Sequence, residues 1–540
     1  MLQRRATMKR FFIFIAFILI FTVLPQQAFA TQLPVATLKT DANGNPYWEN
    51  APIAETAANA QKAGLFSAIP AQSELLSRYD SRENGIETAV VDQGAANICW
   101  AITATDLLSL HLQQKQLPAV AFAPAHLAWF AHRSLVYSGD RTAGDGTLLN
   151  EPFLHGGNWL DAAAALSAWN GPALETEFPF NGHNLSAMGN YAQTDRAKRE
   201  AVLTNAVCYY SKDLNEQSNI SFAQKNAIKQ AIMQHGGVQV SFYSAVGNYY
   251  TSENATAYYQ NSQMKTNHAV VVVGWDDMFS KQNFSSSCQP PSDGAWLCKN
   301  SWGNDWGDKG YFWLSYDEVS LNQIVSFAAD SKYTYAENYQ YDGFGFHGRV
   351  HTDDYIRFAN VFTADADCEI AAVGTWFLQN GADFTVDVYK GLNAGLTAPI
   401  QDIKAASISG VAEEYGYHVV DLQSPVLVKK GEIFSVCVTL TTNQNCPVVN
   451  AAVENADADD YVSYSEPGQS FVQIMRNGPW YDTNKEGINN VSLKALTLHT
   501  HTTPAVAEVC EECGKVITLR ETQLFRRLFE YFWFFIANMA

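Results

Sequence analysis

Apolar positions along the chain change period twice, and the changes divide it. From Cys99 to about Gln114, Ile102, Leu107, Leu108 and Leu110 fall on one face at helical spacing, which predicts an amphipathic helix. Trp159 to Trp169 predicts a second helix. Ser221 to His235 predicts a third, with Ser221 as N-cap and Gly236 just past the end. Strand-like runs follow at Val238–Tyr243, His268–Trp275, Gly294–Lys299 and Lys309–Tyr316. Helices first and strands later argue α+β rather than alternating βαβ units. From about Glu337 to Leu498 no helical period appears. Short β-rich runs such as Thr385–Tyr389, His418–Leu422 and Ile433–Leu440 alternate with Gly, Asn, Asp and Pro, the pattern of an all-β sandwich. There is no internal repeat.

The N-terminus has its own texture. Arg4, Arg5, Lys9 and Arg10 precede an uncharged run from Phe11 to Leu24, and Ala28-Phe29-Ala30 offers a small-x-small cleavage site. Residues 1–30 therefore read as a secretory signal, too short in its apolar part to anchor as a membrane helix, which needs about 20 apolar residues. The expectation is an exported protein: extracellular, at the cell surface or in the periplasm. Residues 31–75 read as a propeptide or N-terminal arm, 76–335 as the α+β domain, 336–498 as the sandwich, and 499–540 as a distinct tail.

Composition narrows the function. Hydrophobic residues make up 47% and charged residues 16%, which suits a folded chain. With 35 basic and 54 acidic residues the formal charge is −19, so nucleic acid is not an expected partner. The cysteine count of 9 is odd. One reactive thiol plus up to four disulfides accounts for it, with Cys288/Cys298 and Cys437/Cys446 as candidate pairs.

Four separated stretches fit one mechanism: Asp92-Gln93-Gly94-Ala95-Ala96-Asn97-Ile98-Cys99-Trp100-Ala101, His155-Gly156-Gly157-Asn158-Trp159, Asn267-His268-Ala269-Val270, and Lys299-Asn300-Ser301-Trp302-Gly303. A thiol nucleophile must be ionised, and a free thiol has a pKa near 8.5. A helix N-terminus favours negative charge on Cys99, and an imidazolium at His268 would favour it further. Asn300 would hold the other ring nitrogen without adding charge, and Trp302 would cover that hydrogen bond. The Gln93 side chain and the Cys99 backbone N–H would stabilise an oxyanion.

These residues resemble the papain-like cysteine proteases over roughly residues 76–335. The Gln-x5-Cys-Trp-Ala spacing, the His-Ala-Val strand and the Asn-Ser-Trp-Gly run occur in family order. The resemblance implies a two-lobed α+β domain with a helical lobe and a β-barrel-like lobe. It further implies Cys99 as nucleophile, His268 as general base and acid, Asn300 as orienter, and Gln93 as oxyanion donor. Gly156 and Gly157 match the glycine pair that lies along extended substrate. Two departures stand out. The run Ala96-Asn97-Ile98-Cys99 lacks the additional cysteine that family members carry just before the nucleophile, and with it a disulfide. The 169 positions between Cys99 and His268 imply insertions, with Asp140 to Asn150 and Thr251 to Lys265 as candidates. The run Tyr464 to Phe471, followed by Trp480, resembles the lectin-like domain that follows papain-like domains in some bacterial surface and secreted proteases.

The expected activity is an exported cysteine endopeptidase that needs no cofactor and takes a polypeptide substrate, with a β-sandwich for attachment to a cell-surface polymer or glycan, or for substrate positioning. The alternative is an adhesin whose protease-like part is a silent scaffold. Other motifs carry narrower expectations. Asp457, Asp459 and Asp460 are calcium candidates, with Asp365 and Asp367 a similar cluster. Cys510 and Cys513, with His499 and His501, resemble part of a zinc site or a disulfide. The aromatic segment Phe525 to Ile536 is either a docked helix or a peripheral membrane contact. Gly343-Phe344-Gly345-Phe346-His347-Gly348 matches a phosphate-binding string, but no helix follows, so a domain junction is the expected role.

Overall fold

The computed structural model describes residues 75–132, 151–212, 218, 220–252, 255–395, 397–401, 403–454 and 463–498, with three short strand pairs (37–40 with 46–49, 146–147 with 461–462, 508–509 with 516–517). The signal segment, the Asp457–Asp460 carboxylates and the Cys510, Cys513 and Phe525–Ile536 motifs lie outside the described residues.

The first part of the chain carries four α-helices among the described residues: α1 (Cys99–Gln114), α2 (Pro124–Ala131), α3 (Trp159–Ser167) and α4 (Phe222–His235). Its strands are β1 (Arg78–Asp80), β2 (Ala201–Tyr210), β3 (Val238–Phe242), β4 (Tyr249–Thr251), β5 (Thr256–Tyr258), β6 (His268–Asp276), β7 (Ala295–Lys299), β8 (Tyr311–Ser315) and β9 (Asn322–Ser331). The second part is all-β: β10 (Asn338–Tyr339), β11 (Gly348–Thr352), β12 (Tyr355–Thr363), β13 (Cys368–Phe377), β14 (Ala382–Lys390), β15 (Ala406–Ala412), β16 (Tyr415–Val428), β17 (Ile433–Thr441), β18 (Val449–Val453), β19 (Ser470–Gln473), β20 (Tyr481–Asp482) and β21 (Leu493–Leu498).

Helix α4 starts as its sequence demands. The Ser221 side chain accepts from the Gln224 amide, Gln224 reaches back to the Ser221 amide, and Gly236 closes the end in the left-handed region. Strand β6 reads His-Ala-Val-Val-Val-Val-Gly-Trp because both its faces are covered. Val271 and Val273 join the core under α1, whereas Val270 and Val272 join the core under α4. Helix α1 departs from the amphipathic expectation. It is buried along nearly its whole length, including Thr103, Asp106, Ser109 and His111. Each of these needs a partner, because an unpaired buried polar group is costly. Thr103 donates to Gln239, Asp106 accepts from Lys299 and Thr88, and His111 meets His235.

The sheet runs β10-β21-β13-β16-β2-β9-β3-β6-β7-β8-β5-β4, with β1 added on β6. It crosses from one part of the chain to the other where β16 pairs antiparallel with β2, His418 opposite Asn205 and Tyr415 opposite Cys208. A second sheet, β15-β14-β17-β12-β19-β20, faces the β13-β16-β21 end. Phe358, Val386 and Val436 from the second sheet meet Val373, Leu422 and Leu493 from the first in one core. That is the sandwich expected from the sequence. One of its two layers, however, continues into the sheet of the preceding domain.

The described cysteines Cys99, Cys208, Cys288, Cys298, Cys368, Cys437 and Cys446 are thiols, which corrects both candidate disulfides. Cys298 lies inside the core under α4, its thiol toward the Trp296 carbonyl, whereas Cys288 sits in a separate small cluster against Tyr259. Cys437 and Cys446 occupy different clusters as well. The Cys437 sulfur accepts from the Arg357 guanidinium at 3.1 Å, and Cys446 donates to the Val448 carbonyl. Proximity in sequence did not place either pair face to face. The glycine string at 343–348 leads into a strand, not a helix, and Gly345 packs against Ala164 of α3, at the junction of the two parts.

Candidate active site

Cys99 is the first residue of α1, only 3% exposed. Ile98 at the N-cap offers no side-chain acceptor to the first turn. The sulfur lies at this end, where the backbone amides of Trp100 and of Cys99 itself favour negative charge on it. A third amide, from Ala269, reaches the sulfur across the cleft and puts it beside the start of β6.

His268 opens β6, and Asn300 follows the end of β7. The strands are antiparallel neighbours, Lys299 opposite Val271, so the start of one lies beside the end of the other. His268 Nε2 is 2.8 Å from Asn300 Oδ1. The Ser301 backbone N–H also donates to Asn300 Oδ1, at 2.8 Å. A backbone N–H can only donate, so the atom it meets is the amide oxygen. His268 Nε2 must then be a donor as well, which leaves Nδ1 as the ring's basic nitrogen. The Trp302 indole stacks on the imidazole, centroids 5.1 Å apart and planes 22° apart, and Phe242 closes it edge-on at 6.0 Å.

Gln93 is 3% exposed and equally constrained. Its Nε2 donates to the Ala96 carbonyl at 2.8 Å and its Oε1 accepts from Ser301 Oγ at 2.6 Å. One amide hydrogen of Gln93 is thus used locally and one remains. Ser301 thus serves both Asn300 and Gln93, a role that its place in the Asn-Ser-Trp-Gly run does not by itself reveal. The 93–99 turn also has a clamp from elsewhere. The Ala95 amide donates to the Gly182 carbonyl at 3.0 Å, and His183 Nε2 meets Asp92 Oδ2 at 2.8 Å. A Cβ on Gly182 would collide with the Gln93 carbonyl. Nothing local in the sequence pointed to this segment. It supplies contacts to a turn that lacks the family's disulfide.

Gly156 and Gly157 lie beside Trp100, the residue that follows Cys99. The Gly156 carbonyl meets His132 Nε2 at 3.0 Å, and a Cβ on Gly157 would come within 2.5 Å of the Trp100 indole. The second glycine is therefore required by the protein's own packing next to Cys99. The Thr251–Lys265 stretch, expected as an inserted loop, instead contributes β5 to the sheet.

Burial shapes the electrostatics. It pushes the Cys99 thiol up to about 11, against the pull of the three amides. It pushes the His268 imidazole down to about 4, against the bond to Asn300. Both directions favour the neutral forms taken singly. A proton passed from the Cys99 thiol to the imidazole would leave the pair neutral overall, and the attraction between the two charges would offset part of that cost. Of the two acidic clusters, Asp367 is engaged by Lys429 and by the Lys430 amide, and no group of three metal-ligating side chains forms among the described residues.

Comparison with known proteins agrees with this geometry. The profile described as papain family cysteine protease matches residues 75–330, and the lectin like domain matches residues 338–497. A solved structure of the clostridial cysteine protease Cwp84 after propeptide cleavage is 25% identical, covers 79% of this chain and 100% of that one, with a TM-score of 0.65. The cysteine protease and lectin-like domains of Cwp84, described as a surface layer associated protein of Clostridium difficile, are 25% identical over 82% of this chain and 94% of that one, TM-score 0.64. Among curated proteins, cathepsin K of Mus musculus is 24% identical over 47% of this chain and 64% of its own length. Cathepsin S of Bos taurus is 25% identical over 43% and 57%. The chain thus spans roughly three fifths of these two relatives' length. It carries a papain-family cysteine protease domain followed by a lectin-like domain.

Proposed function

We propose that the protein is an exported cysteine endopeptidase. The observation that carries this reading is the fixed orientation of His268: Asn300 Oδ1, held by the Ser301 amide, turns Nδ1 into the base. In the ion pair the Cys99 sulfur is the nucleophile, and it attacks the carbonyl carbon of a peptide bond. The resulting oxyanion is met by the remaining Gln93 amide hydrogen and the Cys99 backbone N–H. The C–N bond breaks as His268 Nδ1 gives its proton to the leaving amine. A thioester remains on Cys99. Water, losing a proton to Nδ1, attacks it; the C–S bond breaks and the pair is restored. Every step uses side chains and amides of this chain, so activity should survive a chelator.

Export rests on the basic, apolar and small-residue succession of residues 1–30, and on the likeness to a protease described as surface layer associated. The lectin-like domain serves attachment or substrate positioning; calcium at Asp457, Asp459 and Asp460 would belong to that domain. The reading is tested on an unfolded protein substrate. Internal cleavage that vanishes in Cys99→Ala supports it. Undiminished cleavage by Cys99→Ala, or none by the mature wild type, would leave a silent protease-like scaffold on an adhesin.

A further inference from the structure

Helix α3 ties the Gly156-Gly157 stretch to the lectin-like domain along its whole length. At its start Trp159, fully buried, packs on Trp376 and Tyr415, both at 6.1 Å between ring centroids. In its middle Ala164 faces Gly345, where an added Cβ would come within 2.7 Å, and the Gly345 carbonyl is held by Ser492 Oγ at 2.9 Å. At its end the orphan carbonyls of Ser167 and Ala168 accept from the Asn338 and Gln340 side-chain amides, at 3.0 and 2.9 Å. All these partners lie within residues 338–497. On the other side, Asn158 caps the helix through a reciprocal pair with Asp161 and is bonded directly to Gly157, which rests on Trp100. Trp100, Trp159, Trp376, Tyr415 and Tyr417 belong to one hydrophobic core.

We propose that the lectin-like domain positions the substrate groove of the peptidase, with Trp376 as a positioning residue that acts through Trp159 and α3 on the Gly156-Gly157 stretch. The proposal rests on the reading above that this stretch lies along the substrate backbone. A helix gripped at its start, middle and end moves as a body, so a shift at Trp376 is passed to the residues that precede the N-cap. Those residues cannot yield toward Trp100, because Gly157 already touches it. Cys99, His268 and Asn300 sit at the start of α1, the start of β6 and just past the end of β7, whereas the ring contacts of Trp376 are with Trp159, Phe346 and Tyr417; Trp100 shares the core, so the reactivity of Cys99 is the internal control. Loss of the Trp376 indole should therefore misplace extended substrate while leaving the thiol pair intact.

The experiment uses the full chain with Trp376→Ala and Trp376→Phe, and reads two quantities. One is kcat and KM on a peptide substrate. The other is the rate at which iodoacetamide, too small to need the groove, alkylates Cys99. Trp376→Ala should raise KM about tenfold or more, with kcat and alkylation each within about twofold of wild type, since contacts along the substrate backbone that are equal in ground and transition states affect KM alone. Trp376→Phe should restore KM. Gly345→Ala, which presses on Ala164 from the lectin-like side without emptying the core, should show the same rise and decides the matter if Trp376→Ala does not fold. Unchanged KM in the folded variants, or alkylation falling in step with kcat, overturns the proposal. N-methylation of the substrate backbone tests the underlying reading separately: if it leaves the wild-type KM unchanged, strand pairing at Gly156-Gly157 fails whatever the Trp376 variants do.

Discussion

The oxygen of Asn300 fixes the orientation of the site's imidazole. One amide oxygen serves two donors, and the backbone donor fixes the identity of the atom that His268 meets. Gln93 is constrained in the same manner by an acceptor on one side and a hydroxyl on the other. Around the 93–99 turn, the contact least able to take an added carbon is Gly182 against the Gln93 carbonyl. Gly182→Ala should displace the 93–99 turn and lower kcat by about tenfold or more, with the melting temperature little changed, because the loss falls on an oxyanion donor rather than on the core. A steady-state comparison of the purified variant checks this. That His268, Asn300 and Trp302 meet, and that Gln93 is joined to the same run through Ser301, was legible in the sequence because each sits in a short motif whose chemistry calls for that residue type. Gly182 and His132 were not, since their importance comes from contacts made far along the chain. The disulfide candidates failed for the converse reason. Ten or so intervening residues say nothing of which side of a sheet a side chain faces.

At the level of elements, the periods gave α1 and α4 nearly to the residue and α3 to within two residues at its end, α4 being marked by the Ser221 cap and Gly236; α2, buried at every position, shows no polar face and was missed. Strands β2 (Ala201–Tyr210) and β9 (Asn322–Ser331) were missed. Both are buried over almost their whole length, so neither shows a clean alternation. Helices α1 and α4 meet through His111 and His235, whose Nδ1 atoms are 3.2 Å apart. One ring must donate and the other accept, so at least one ring is neutral, and burial favours the neutral form of both. Burial lowers His111 to about 3 and His235 to about 4. Folded values below the free imidazole value mean that this contribution to stability is complete above about pH 6.5 and is lost as pH falls through about 4. The melting temperature should drop across that window, and the drop should be smaller in His235→Gln. An equal slope in the two proteins would show that the pair does not drive it.

The whole molecule is less divided than its sequence suggests. Composition changes sharply near residue 336, yet a sheet and a core run through that boundary at β2–β16 and around Trp159. Expressed alone, residues 76–335 would expose the β2 edge and the Trp159 face together. Such a fragment should aggregate or melt well below the full chain, whereas a fragment as stable as the full chain would show two independent domains. An unpaired strand edge beside exposed aromatics is a standing hazard for association.

The account as a whole depends on proton transfer from Cys99 to His268 despite burial that disfavours each charge alone. The direct measurement is the pH dependence of Cys99 alkylation by iodoacetamide, followed by mass spectrometry of the Cys99 peptide, in the wild type and in His268→Ala. The account predicts rapid alkylation of the wild type well below the free-thiol pKa of about 8.5, and a shift to alkaline pH once the imidazole is removed. Superimposable profiles for the two proteins would contradict it.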